Sequence, residues 1–208
     1  MSDEEDILHL PEMCTQGDDT DSFGIMMLCT GNLCRSPMAA ALLARQLAVL
    51  GVTVPVRSAG MLGDGNPPFP EVVSVMASYG IEIASHRSRI ASADDLAGAS
   101  LVLAMARDNL RYAVTTEPGA WSRAFTLKEI VRRGEQIGPR QPGEPFAGWI
   151  ARAHAGRERT SLLGDSAEDD VADPAGGPLR AYIETARLLD GLVTRLAELG
   201  WAYAEPHR

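Results

Sequence analysis

Residues 23–51 join a short apolar run, FGIMMLC, to an Ala/Leu-rich stretch, RSPMAAALLARQLAVLG, through the five residues TGNLC. The run fits a buried strand and the stretch fits a helix ended by Gly51, so the unit reads strand, loop, helix. The alternation then continues. VTVPVRSAG, ASLVLAMA and RAFTL read as further strands, each followed by helical sequence (EVVSVMASYG, RDNLRYAVTTE, KEIVRRG). Strands separated by helices require crossovers, which make a parallel sheet covered on both faces. The expected fold class is α/β, a three-layer α/β/α arrangement with a four-stranded parallel sheet. A phosphate-binding loop is expected between its first strand and first helix.

At 208 residues the chain suits one domain. The formal charge of −9 is concentrated at one end: residues 1–21 hold eight acids and no Lys or Arg, so the remainder is close to neutral. The expected organisation is an acidic, disordered arm over 1–21 and a single domain over 22–208. Residues 138–172 interrupt the alternation with turn-rich GPRQPGEP, helix-like FAGWIARAHAGRER and acidic LLGDSAEDD, and read as an insertion. The last stretch repeats Leu179, Ile183, Ala186, Leu189, Val193 and Leu196 at helical spacing, as a helix packed on a sheet would.

No apolar run is long enough to span a bilayer, and no basic stripe suits nucleic acid. The start of the chain lacks the basic and apolar regions of a secretory signal, so a cytoplasmic location is expected. In that compartment three cysteines direct attention to thiol reactivity rather than to a disulfide framework.

In a parallel sheet, ligands bind where strands end and helices begin. The stretch Cys29–Ser36 stands there. Inward N–H groups from Thr30, Gly31, Asn32, Leu33, Cys34, Arg35 and Ser36, with the helix dipole behind them, would cradle a phosphate-like anion. Arg35 adds a planar charged fork. Gly31 and Asn32 tolerate left-handed backbone, and Pro37 suits a first helical turn. A helix N-terminus and a nearby arginine favour the thiolate form of a cysteine, which makes Cys29 the candidate nucleophile toward phosphorus. Ser36 would stabilise the thiolate as it waits and as it departs. Asp173, fixed before a proline in VADPAGG, is the candidate acid for the leaving oxygen.

CTGNLCRS fits the pattern C-x-G-N-x-C-R-S, and the chain resembles the low-molecular-weight protein tyrosine phosphatases over about residues 22–130 and 171–200. Further matches are RSAG (57–60), Asn66-Pro67-Pro68, SHRSR (85–89), Met105 to Leu110 and Asp173-Pro174. The resemblance implies hydrolysis of phosphate monoesters, above all protein phosphotyrosine, through a phosphocysteine intermediate and without a cofactor. Cys29 would be the nucleophile, Arg35 the phosphate ligand, Ser36 the group that tunes the thiolate, and Asp173 the acid and later the base. Asn32, Ser58 and His86 would hold the loop in shape. The resemblance also makes Cys34 a cysteine that can pair reversibly with the nucleophile.

The chain departs from that pattern in four places. The aromatic residues that usually flank the pocket are replaced by MLGDG (61–65) and AGG (175–177), which leaves Trp149 and Phe146 as candidate substitutes. The Asp usual after the Met of the third strand is Ala106, and the acidic arm and the 138–172 segment have no counterpart in compact members.

Plainer readings stand beside these. Cys34 can be a packing residue, and Asp173 a turn residue. His86 can be structural, while His9, His154 and His207 are expected in solvent and Cys14 without function. Zinc at Cys29 and Cys34 would need a second Cys/His pair, which is absent. The alternative functions are an arsenate reductase of the same fold that borrows an external thiol, and a non-catalytic phosphate- or phosphoprotein-binding module. The expected partner is a phosphorylated protein or a small phosphate ester. Neither nucleic acid nor membrane is expected to bind, and the oligomeric state is left open.

Overall fold

A computed structural model describes residues 24–201, so the acidic arm, His9, Cys14 and His207 lie outside the described residues. Four strands, β1 (Ile25–Cys29), β2 (Val56–Gly60), β3 (Leu101–Ala104) and β4 (Ala124–Thr126), form one parallel sheet in the order β2-β1-β3-β4. The helices among the described residues are α1 (Arg35–Val49), α2 (Pro70–Ser78), α3 (Ala93–Gly98), α4 (Arg107–Thr116), α5 (Leu127–Ile137), α6 (Phe146–His154) and α7 (Leu179–Trp201). Short 3₁₀ helices cover Pro118–Arg123 and Arg159–Leu162. No helix among the described residues is long and apolar enough to cross a membrane.

Every residue of β1 is buried, as a strand covered on both faces requires. Its side chains alternate between two cores. Ile25, Met27 and Cys29 join α1, α2, α5, α6 and α7 on one face, and Met26 and Leu28 join α3, α4 and the first 3₁₀ helix on the other. Met27 and Leu28 are wholly buried, each contributing about 1.5–3 kcal/mol of apolar burial. The short helix α3 was not apparent from hydrophobic spacing; six residues are too few to display a period. It is fixed instead by the capping box between Ser92 and Asp95.

The helical part of the 138–172 segment belongs to the core. Trp149 of α6 is fully buried and donates its indole N–H to the Gly138 carbonyl at 3.1 Å. The ring fits only because residue 134 of α5 is glycine, since a Cβ there would stand 2.9 Å from both Trp149 and Leu199. Phe146 stacks on Trp201 with centroids 4.3 Å apart. His154, expected in solvent, is half-buried with its ring edge-on to Trp121 at 5.5 Å, and burial lowers its pKa.

The chain leaves β1 for β2 on one side and returns to β3 on the other. The carboxyl end of β1 is therefore the point where strand order reverses, and loops from both halves of the sheet meet over it.

Candidate active site

The loop after β1 is shaped by Asn32. This residue is fully buried and is the single non-glycine with positive φ (53°) among the described residues. Its left-handed turn brings its own N–H to 3.2 Å from the sulfur of Cys29. Gly31, expected to share that conformation, is absent from the positive-φ glycines, so the left-handed turn falls on Asn32 alone.

The Asn32 side chain then ties the loop to the rest of the site. Its Nδ2 donates to Ser36 and to Ser58, both at 2.9 Å, and its Oδ1 accepts the N–H of Arg89 at 3.0 Å. His86 Nε2 lies 2.8 Å from the Asn32 carbonyl. A carbonyl only accepts, so Nε2 carries the proton. Asn32, Ser36, Ser58 and His86 thus form one hydrogen-bonded set around the loop.

Ser36 Oγ lies 3.0 Å from Cys29 Sγ and 3.3 Å from the Ala59 carbonyl while it accepts from Asn32. Its single proton can therefore serve either the sulfur or that carbonyl. Cys29 and Ser36 are both buried. At the start of α1, Cys34 is the N-cap residue and makes no side-chain capping bond, and the first turn has no acid. The first N–H groups of a helix have no intrahelical partner, so this end offers donors and positive potential to an anion.

Arg35 links the two ends of the domain. Its Nη1 donates to the Val171 carbonyl at 3.0 Å, and its Nη2 donates to Asp173 Oδ2 at 2.5 Å. Asp173 lies just before α7, and spacing alone left its reach to the loop open. It remains 44% exposed at the side chain, against 7% for Arg35, so the carboxyl opens to the surface. Pro174 behind it is buried.

Cys34 is a core residue, 4% exposed, and burial followed by the neighbouring Asp173 charge pushes its thiol well above the ordinary range. Such a thiol is a poor nucleophile. Trp149 and Phe146 do not wall the site: both pack among α5, α6 and α7. Among the residues after β2, Leu62 is 62% exposed, and Met61 Sδ lies 3.0 Å from Asn109 Nδ2.

Three residues of the matched stretches, Arg89, Gly60 and Asn109, take part in the site although the sequence assigns them no individual role. Arg89 holds Asn32 through its N–H and Ser58 through its guanidinium, and is itself held by both oxygens of Asp95. Gly60 allows the loop to lie on β2, since a Cβ there would stand 2.8 Å from the Thr30 carbonyl and 3.0 Å from Asn32. Both lie within the matched SHRSR and RSAG stretches, which were the available signal. Asn109 is buried, donates to Thr30 Oγ1 at 3.2 Å, and leaves its Oδ1 without a partner. A separate cavity of about 440 Å³ lies beyond β4. Its arginines include Arg107, Arg132 and Arg157, which are already held by Asp169 and Glu129. No three His, Cys, Asp or Glu side chains converge as a metal site among the described residues.

Residues 24–144 match the family described as low molecular weight phosphotyrosine protein phosphatase. The protein-arginine-phosphatase of Geobacillus stearothermophilus is 33% identical over 85% of this chain and 95% of its own. The probable low molecular weight protein-tyrosine-phosphatase EpsP of Ralstonia solanacearum is 38% identical over 51% of this chain and 71% of its own. The crystal structure of the low molecular weight protein tyrosine phosphatase from T. tengcongensis superposes with a TM-score of 0.65 at 35% identity, over 85% of this chain and 99% of that one. Cys29 ends β1 where the loop begins, the position at which this family of cysteine-based phosphatases places its thiol. Sheet order, loop position and matched sequence agree: the chain belongs to the low molecular weight phosphotyrosine protein phosphatase family.

Proposed function

We propose that the protein hydrolyses the phosphate ester of phosphotyrosine in a protein substrate through a phosphocysteine intermediate. The observation that supports this reading is the placement of a thiol and a carboxyl around one guanidinium: Cys29 ends β1 at the start of the loop that Arg35 closes, and Asp173 lies 2.5 Å from Arg35. A bound phosphate would take donors from the N–H groups of residues 30–36 and from Arg35, competing with Asp173 for Nη2. The sulfur then attacks phosphorus, the P–O bond breaks, and Asp173 gives its proton to the leaving oxygen. In the second step Asp173 takes a proton from water, the oxygen attacks phosphorus, and the P–S bond breaks. Ser36, 3.0 Å from the sulfur, turns its proton from the Ala59 carbonyl to the departing thiolate.

A second reading, phosphoarginine, draws on two observations. The relative named as a protein-arginine-phosphatase aligns over nearly its whole length. The positions expected to carry aromatic walls hold Leu62 and Ala175 instead. The same machinery would cleave a P–N bond by protonating the guanidine nitrogen.

The test is phosphate release from matched phosphotyrosine and phosphoarginine peptides, with Cys29→Ser as the blank. Faster release from phosphotyrosine is expected, and the reverse order selects the second reading. Consumption of an external thiol driven by arsenate, without ester cleavage, would overturn both. So would tight vanadate binding without turnover of either peptide.

A further inference from the structure

Helix α4 begins without a cap of its own. Ala106 occupies its N-cap position and makes no side-chain hydrogen bond there, which leaves the helix less stable than Asp or Ser would. The missing acceptor arrives from the segment that leads to Asp173. Asp170 Oδ1 accepts the N–H of Arg107, the first residue of α4, at 2.8 Å. Its other oxygen accepts the N–H of Ser166 at 3.0 Å, and the Asp170 N–H donates back to the Ser166 carbonyl at 2.7 Å, closing a turn. Lys128, from the first turn of α5, donates to the Asp170 carbonyl at 2.7 Å.

The next residues continue this attachment toward the site. Val171 donates to the Met105 carbonyl at 2.8 Å and accepts from Arg35 at 3.0 Å. Asp173 itself has the Arg35 contact and a bond from the Ala175 N–H at 3.2 Å. An exposed carboxyl with so few partners is placed by the backbone that carries it. Asp169 grips the side chains of Arg107 and Arg132, which can adjust by rotation. Asp170 grips main-chain N–H groups on both sides, and these cannot adjust without moving the backbone.

We propose that Asp170 is a positioning residue for Asp173: by capping α4 from outside, it fixes residues 166–173 against the end of β3 and sets where the Asp173 carboxyl stands. The proposal rests on the reading of Asp173 as the general acid. A misplacement of about 1 Å can cost about 10²-fold in rate. The loss should appear in the proton transfers made by Asp173, of which only the first depends on the leaving group, and not in phosphate binding.

The experiment uses the full chain and the variants Asp170→Ala, Asp170→Asn, Ala106→Asp/Asp170→Ala and Asp173→Asn. For each, kcat and KM are measured on phenyl phosphate, whose leaving group needs a proton, and on p-nitrophenyl phosphate, whose leaving group needs it less; melting temperature is recorded alongside. Asp170→Ala should lower kcat/KM on phenyl phosphate about 10- to 100-fold, with a much smaller loss of kcat/KM on p-nitrophenyl phosphate, because kcat/KM reports the step that expels the leaving group. Asp170→Asn, whose amide oxygen still accepts the Arg107 N–H but whose NH2 cannot accept from Ser166, should recover part of that rate and stay below the parent. Ala106→Asp in the Asp170→Ala background should recover melting temperature without recovering kcat/KM, because it caps the helix but leaves the segment untied. Recovery of both, or equal losses of kcat/KM on the two substrates, would overturn the proposal and leave Asp170 as a helix cap alone. If Asp173→Asn shows no dependence on leaving group while Asp170→Ala does, the general-acid reading itself fails and takes this proposal with it.

Discussion

Arg35 holds Asp173 at 2.5 Å through one nitrogen and the Val171 carbonyl through another, so the anion-binding fork and the acid segment are fastened to each other before any substrate arrives. An arginine committed in this way is oriented without further rotamer loss when phosphate displaces the carboxylate. The same contact keeps the carboxyl at the mouth of the loop.

Replacing Asp173 with Asn keeps the shape of this contact and removes the transferable proton. We expect kcat on an aryl phosphate to fall about 10²- to 10⁴-fold with KM little changed, as steady-state kinetics would show. A rise in KM at constant kcat would instead assign Asp173 to binding.

Gly60→Ala tests the support beneath the loop. The added methyl would stand 2.8 Å from the Thr30 carbonyl and 3.0 Å from the Asn32 backbone, so backbone must shift. Urea unfolding should report a loss of about 1–3 kcal/mol, and kcat should fall with it because Asn32 positions its N–H on Cys29. Unchanged stability and turnover would show that the contact is relieved without moving the loop.

Asp169 predicts an acid dependence. Burial opposes its ionisation, and hydrogen bonds from Arg132 and Arg107 outweigh that, so its carboxyl stays below the usual range. A carboxyl depressed on folding adds stability that is present above the unfolded value, near 4, and is lost as pH falls through the lower folded value. Asp169→Asn should therefore destabilise the protein by about 1.5–3 kcal/mol at pH 7, and the gap to the parent should close as pH falls below about 4 in chemical denaturation. A gap independent of pH would mean that packing, and not charge, is lost.

The raised thiol pKa of Cys34 predicts inertness. Iodoacetamide at neutral pH should leave Cys34 unmodified in the folded protein and label it in urea, as peptide mass spectrometry would resolve. Labelling at the rate of a free thiol in the native state would contradict the burial.

Local sequence was sufficient wherever neighbours along the chain do the work. The apolar run of β1, the Ala/Leu pattern of α1 and the turn residues between them placed Cys29 and Arg35 at a strand-to-helix junction, because hydrophobic period and loop chemistry act over a few residues. Where partners come from distant segments, sequence reading fell short. Trp149 and Phe146 looked like replacement walls, yet burial among α5, α6 and α7 claims them. His154 looked solvated until Trp121 and Phe125 were folded against it.

The sequence by itself determined the alternating α/β pattern and the strand-to-helix loop, and it named Cys29, Arg35 and Asp173 as candidates for thiol, anion ligand and acid, since those are properties of residue type and short-range order. Tertiary structure alone decided that Asp173 reaches Arg35, that Gly60 clears room for Asn32, and that Asp170 supplies the cap Ala106 lacks. Each of these is a contact between segments far apart in the chain, whose closeness depends on how the strands and helices pack and not on any local preference.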